Sequence, residues 1–151
     1  MRLKRLKWAY KDSPLYYLTL NAHTRQCFFA NREVHEAFRI FCERAANYGV
    51  AVGRYTLMPD HIHMFAAFAP DSIDLSGWVK ALKNSLSKCL RQRGIPSPHW
   101  QKDFFDRLLR TMESYDEKWG YVRQNPVRAG LVEKPEDWEF QGEIQRLDVE
   151  D

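Results

Sequence analysis

The chain has 151 residues, of which 44% are hydrophobic, 14% aromatic and 28% charged. This suits one globular domain with a real core and excludes a disordered chain. No stretch approaches the ~20 apolar residues of a membrane span. The basic start MRLKRLKWAYK has no apolar run behind it and is not a secretory signal, so a cytoplasmic protein with no membrane partner is expected. Three cysteines, Cys27, Cys42 and Cys89, without a close pair, argue against a disulfide framework or a Cys-based zinc site. The net charge of +3 is unevenly spread: residues 133–151 carry −6 and the preceding 132 residues carry +9. From Leu75 to Lys102 there are six basic residues and no acidic one. A basic body with an acidic tail points towards a polyanion as partner.

In chain order, Leu15–Leu20 (LYYLTL) predicts a strand. Arg32–Tyr48 predicts a helix with Val34, Phe38, Phe41, Cys42, Ala45 and Tyr48 on one face, ended by Gly49. Val50–Leu57 and His61–Phe68 predict two strands paired as a hairpin across Met58-Pro59-Asp60. Asp74 is expected to cap a helix to about Arg91 with Leu75, Trp78, Val79, Leu82, Leu86 and Leu90 inward. Gly94-Ile95-Pro96-Ser97-Pro98 breaks it, and Phe104–Leu109 predicts a further strand. A third helix is expected from about Thr111 to Gln124, with Met112, Tyr115, Trp119 and Val122 as its core face and Pro126 limiting its extension. This order matches an α+β, ferredoxin-like split βαβ fold, an antiparallel sheet with helices on one face.

His61 and His63 sit one residue apart on a strand, where period two turns both imidazoles to one face within reach of one metal ion. Ile62 points the other way, and Phe65 is expected with it on the apolar layer. The bland alternative is two satisfied histidines on a solvent-facing strand. No HExxH or HxxEH helix supplies further ligands. On the third helix Tyr121 falls roughly 140° from the core face, and Asn125 follows it by one turn on the same side. A phenol and a carboxamide beside a histidine pair could support covalent phosphodiester cleavage with a hard ion such as Mg²⁺ or Mn²⁺.

Three strings occur in order: YTLMPDHIHMF (Tyr55–Phe65), HWQKDFFDRLLR (His99–Arg110) and YVRQNPVRAGLV (Tyr121–Val132). They resemble the motifs of the REP-associated tyrosine transposases, within the wider HUH (His-hydrophobic-His) single-tyrosine transposases. The resemblance runs from about Tyr16 to about Gly142. It implies a ferredoxin-like catalytic domain, set here at residues 1–132, that acts on single-stranded DNA beside short hairpins. By the same resemblance His61, His63 and Asn125 are the metal ligands. Tyr121 would attack the scissile phosphate, forming a 5′-phosphotyrosine link and freeing a 3′-hydroxyl that can reverse the reaction on another strand. Relatives work as monomers or as homodimers, so a homodimer stays open.

Departures from the family pattern are Asp60, where Asn is common before the first histidine, and Asn125, where many relatives have Gln. Gln124 stands beside Asn125. Asp60 could orient a histidine or simply form the turn. Tyr115, on the core face, is the weaker nucleophile. Lys80, Lys83, Lys88 and Arg91 on the second helix, and Arg2, Lys4 and Arg5 in the basic arm, are candidate phosphate contacts. The acidic tail, residues 133–151, is expected to lie over the basic groove. Two other functions compete: a catalytically inactive single-stranded or hairpin DNA-binding regulator, and a metal-dependent hydrolase in which Tyr121 is a bystander.

Overall fold

The computed structural model describes residues 13–110 and 112–147. The basic arm with Arg2, Lys4 and Arg5, the residue Thr111 and the last four acidic-tail residues lie outside the described residues. Five strands form one antiparallel sheet: β1 (Leu15–Asn21), β2 (Val50–Met58), β3 (His61–Phe68), β4 (Phe105–Leu109) and β5 (Gln141–Glu143). Their spatial order is β4-β1-β3-β2-β5. The helices are α1 (Arg32–Arg44), α2 (Leu75–Gln92), α3 (Met112–Val122) and the single turn α4 (Asn125–Arg128).

Local chemistry sets the boundaries. The Asn31 side chain accepts from the Val34 N–H at 3.0 Å and starts α1. A 3₁₀ turn extends that helix to Tyr48, and Gly49 ends it at φ +82°, a conformation glycine adopts without strain. Asp74 caps α2 by accepting from the Gly77 N–H at 3.0 Å. The expected hairpin forms, with Met58 opposite His61 and Leu57 opposite Ile62.

Period two then divides the sheet into two faces. On one, Leu18, Leu20, Val52, Leu57, Ile62 and Met64 pack against Val34, Phe38 and Cys42 of α1 and Val79, Leu82, Leu86 and Leu90 of α2. On the other, Leu15, Tyr17, Phe65 and Ala67 pack against Tyr115 and Val122 of α3. The α+β antiparallel architecture is as expected, but the helices do not all share one face. With α1 and α2 covering the first layer, α3 covers the apolar patch of the second. Phe65 likewise departs from expectation: being odd-numbered, it shares the face of His61 and His63, where its ring packs on Tyr17 and Tyr115.

Two further corrections concern the C-terminal third. The helix ends at Val122 rather than Gln124, and a turn at Arg123–Gln124 precedes α4, which holds Pro126 in its first turn. Residues 133–147 are not a separate tail. Gln141–Glu143 pairs with β2, placing Glu143 opposite Arg54, and Leu147 and Gln145 are buried. The Trp138 indole N–H donates to the Leu57 carbonyl at 3.2 Å. The acidic residues of this segment are exposed, while Leu147 lies in the core and Phe140 and Ile144 pack against it. It runs along β2, at the sheet edge opposite β4.

Candidate active site

The site is built where β3 leaves the hairpin turn. His61 and His63 project from the α3 face with ring centroids 4.6 Å apart. The His61 Nδ1 bonds the Asp60 carboxylate at 2.7 Å, and Arg25 holds the other Asp60 oxygen at 2.9 Å. The His63 Nδ1 bonds the Tyr17 hydroxyl at 2.8 Å and the Thr19 hydroxyl at 3.0 Å. Tyr17 and Thr19 reach it because β1 pairs with β3 in the register Thr19 opposite His63. Both Nδ1 atoms are thus engaged, and among the described residues no hydrogen bond engages either Nε2. This is the arrangement of histidines whose outer nitrogen is oriented for a ligand.

Electrostatics favour neutral rings. Burial pushes His63 down to about 3, helped by His61 and by the cations of Arg128, Lys118 and Arg25. Burial also lowers His61, against the opposing pull of Asp60. For Asp60, burial works upward, but the bonds to His61 and Arg25 outweigh it and hold the carboxyl below its ordinary value. Burial raises the Tyr17 phenol, so its hydroxyl keeps its proton. Neutral imidazoles are the form a cation needs. Among the described residues no group of three or more His, Cys, Asp and Glu gathers, so a third protein donor would come from another residue type. A carboxamide oxygen such as that of Asn125 suits a hard divalent ion, and two imidazoles with one amide leave coordination positions for phosphate oxygens.

Tyr121 is 64% exposed, whereas Tyr115 is 1% exposed. The Tyr115 hydroxyl accepts from the Arg54 N–H at 2.9 Å, in the stretch of β2 where the register shifts between Val52 and Tyr55. Burial pushes its phenol far up. Tyr115 is therefore a core residue. Two cations flank Tyr121. The Lys118 ammonium lies 5.2 Å from the Tyr17 ring centroid and 5.9 Å from that of Tyr121. The Arg128 guanidinium lies 4.1 Å from the Tyr121 ring centroid. It also donates to the Tyr121 carbonyl at 2.9 Å and to the Asn125 Oδ1 at 2.8 Å. The helix break separates Tyr121 from Asn125, so they do not share one continuous helical face as expected, and Arg128 bridges them instead. The Asn125 oxygen retains a second lone pair beyond that bond.

The four basic residues of α2 lie elsewhere, on the helix that covers the opposite face of the sheet. Lys80, Lys88 and Arg91 are exposed. Lys83 is partly buried, donates to the Gln101 carbonyl at 3.2 Å and sits near the Trp100 and Phe104 rings. A cleft of about 390 Å³ opens beside Tyr121, between β4 and α3.

Sequence reasoning missed Tyr17, Thr19 and Arg25 as supports of the two histidines, because strand register and a loop, not spacing, bring them there. It also missed Lys118 and Arg128. Both carried a signal: Lys118 stands three residues before Tyr121, and Arg128 lies inside the NPVRAGLV string.

Comparison with known proteins identifies the family and the fold. Residues 13–118 match the family model described as Transposase IS200 like. A Haemophilus influenzae protein assigned as a REP-associated tyrosine transposase is 23% identical over 136 residues, covering 83% of this chain and 77% of its own. The REP-associated tyrosine transposase of Escherichia coli K12 is 24% identical over 89 residues, covering 59% of this chain and 52% of its own. Among solved structures, a REP-associated tyrosine transposase bound to a REP hairpin shares the fold, with a TM-score of 0.70 at 20% identity. That match covers 85% of this chain and 76% of the other.

Proposed function

The chain belongs to the IS200-like transposase family, and we propose that it cleaves and rejoins single-stranded DNA beside hairpins with Tyr121 as the covalent nucleophile. The observation that carries this reading is an exposed phenol linked through Lys118 to Tyr17, and through the Tyr17 hydroxyl to His63. In this reading His61, His63 and Asn125 hold Mg²⁺ or Mn²⁺. When bound, such an ion supplies charge that polarises the scissile phosphate.

The protein's own groups do the rest. Asp60, Tyr17 and Thr19 fix the two imidazoles and their tautomers, with Nδ1–H donating inward. Lys118 and Arg128 bring positive charge beside Tyr121, where negative charge grows as the phosphoryl group transfers. The Tyr121 oxygen forms a bond to phosphorus, the bond to the 3′-oxygen breaks, and that oxygen takes up a proton while the phenol releases one. One phosphoester replaces another, so the 3′-hydroxyl can reverse the step on a second strand without an outside energy source. Lys80, Lys83, Lys88 and Arg91 would serve as sequence-independent phosphate contacts away from the reacting centre.

The test is denaturing electrophoresis of the protein with end-labelled, hairpin-bearing single strands and Mn²⁺, using a panel of flanking sequences. Label that migrates with protein, and disappears with chelator and with Tyr121→Phe, supports the reading. Binding without any adduct across the panel would favour the regulator, and cleavage without an adduct the hydrolase.

A further inference from the structure

The edge strand β4 carries its own chemistry on the histidine face. Its register with β1 places Phe105 opposite Thr19 and Arg107 opposite Tyr17. Thr19 and Tyr17 are the two residues whose hydroxyls hold His63. Paired residues of antiparallel strands point to the same side, so Phe105 and Arg107 share the face of His61 and His63. At roughly 4.8 Å between neighbouring strands, β4 lies about 10 Å from β3. A strand of nucleic acid held at the histidines would cross this distance within a few nucleotides.

Phe105 is 61% exposed despite being aromatic. Arg107 lines the cleft of about 390 Å³ that also contains Lys118 and Tyr121. Among the charged groups lining that cleft, Arg107, Arg110 and Lys118 face a single carboxylate, Glu117. Among the described residues no ion pair neutralises Arg107 or Arg110. The cleft is therefore cationic, opens beside the nucleophile and has an unstacked aromatic ring on the same strand. A groove beside α2, lined by Lys83, Trp100 and Phe104, is a poorer platform, because Trp100 is already stacked on Phe29 at 4.8 Å and has the Lys83 ammonium 5.7 Å from its centroid.

We infer that the histidine-side face of β4 is a nucleotide subsite for the single strand flanking the scissile phosphate, in which Phe105 stacks a base and Arg107 binds a backbone phosphate. The inference rests on the proposed function for its substrate class. A planar base gains from an exposed ring whatever its identity, and a guanidinium pairs with phosphate in a bidentate fork. The subsite thus grips the flank without reading its sequence.

The probe is a hairpin-bearing single strand with 2-aminopurine placed in turn at each position of the flank. In the wild-type protein one position is quenched on binding. Phe105→Ala abolishes that quench and weakens binding roughly tenfold, whereas Phe105→Trp preserves both. Because Phe105 is exposed, its replacement leaves the core intact, and the Trp variant controls for any loss of folding. Arg107→Ala weakens binding and makes the salt dependence shallower by about one phosphate contact. Adduct formation at subsaturating DNA falls in parallel in Phe105→Ala and Arg107→Ala. Unchanged quenching in Phe105→Ala together with an unchanged salt slope in Arg107→Ala would overturn the inference. These two readouts need no chemistry, so wild-type protein that binds but forms no adduct would defeat the proposed function and still decide the subsite.

Discussion

The two tyrosines of α3 offer a paired test, because the same atom is removed from two opposite environments. In Tyr115→Phe the lost hydroxyl leaves the Arg54 N–H, bonded at 2.9 Å, without its acceptor at the irregular stretch of β2. Tyr115 is only 1% exposed, so little water can replace it. An unsatisfied buried donor costs about 1–3 kcal/mol. At roughly 2–4 °C per kcal/mol for a chain of this size, Tm should fall by about 2–12 °C. In Tyr121→Phe the hydroxyl comes from a side chain 64% exposed, and a surface change of this kind stays within about 0.5 kcal/mol. Thermal unfolding followed by circular dichroism, alongside the covalent-adduct assay, separates the two. Tyr115→Phe should be less stable but form adduct at low temperature, while Tyr121→Phe should be equally stable and form none. Adduct from Tyr121→Phe, or a stable Tyr115→Phe that forms none, would refute the assignment of core and nucleophile.

Other expectations follow from the same contacts. Asp60→Ala removes the partner that bonds His61 at 2.7 Å, and calorimetric titration with Mn²⁺ should show affinity roughly 10–100-fold weaker; equal affinity would mean that Asp60 only shapes the turn. Burial lowers His35, His61 and His63 from 6.5, His63 to about 3. The unfolded chain then binds more protons than the folded one below pH 6.5, so metal-free stability should be full above that value and fall as pH drops towards 3. Urea unfolding between pH 4 and 7 with a flat midpoint would contradict this. A Cβ at Gly53 would press on the Tyr115 hydroxyl and approach the Leu147 Cδ1 to 2.6 Å. Gly53→Ala should therefore cost about 1–3 kcal/mol in denaturant unfolding, as overpacking does. Truncation after Val132 removes β5 and the buried Leu147, and calorimetry should record a lower Tm; an unchanged Tm would place residues 133–147 outside the domain.

Much of the fold was legible because the early elements carry strong periodic signals. His61–Phe68 was readable to the residue, and Gly49 and Asp74 occupy cap positions whose chemistry is local. What stayed hidden depends on partners distant in sequence. Gln141–Glu143 has no apolar alternation and is a strand only because β2 offers its edge. The face chosen by α3 depends on α1 and α2 already occupying the other, which no pattern within Met112–Val122 encodes. In the site, Tyr121, Asn125 and the histidine pair stand out by residue type and spacing. Tyr17, Thr19, Phe105 and Arg107 do not, since their relation to His63 exists only in the register of β4, β1 and β3. Arg128 was in view as part of a string, but its bridge across the break between Tyr121 and Asn125 needed the turn at Arg123–Gln124.

The central claim is that one phenol, Tyr121, becomes bonded to DNA. The most direct measurement is mass spectrometry of the adduct after nuclease and protease digestion, with the modified residue located by fragmentation. The account predicts a nucleotide phosphate on the peptide that contains Tyr121, attached at that side chain, and only in reactions supplied with a divalent ion. A nucleotide on Tyr115, Tyr17 or any other residue, or cleaved strands with free phosphate ends and an unmodified Tyr121, would contradict it.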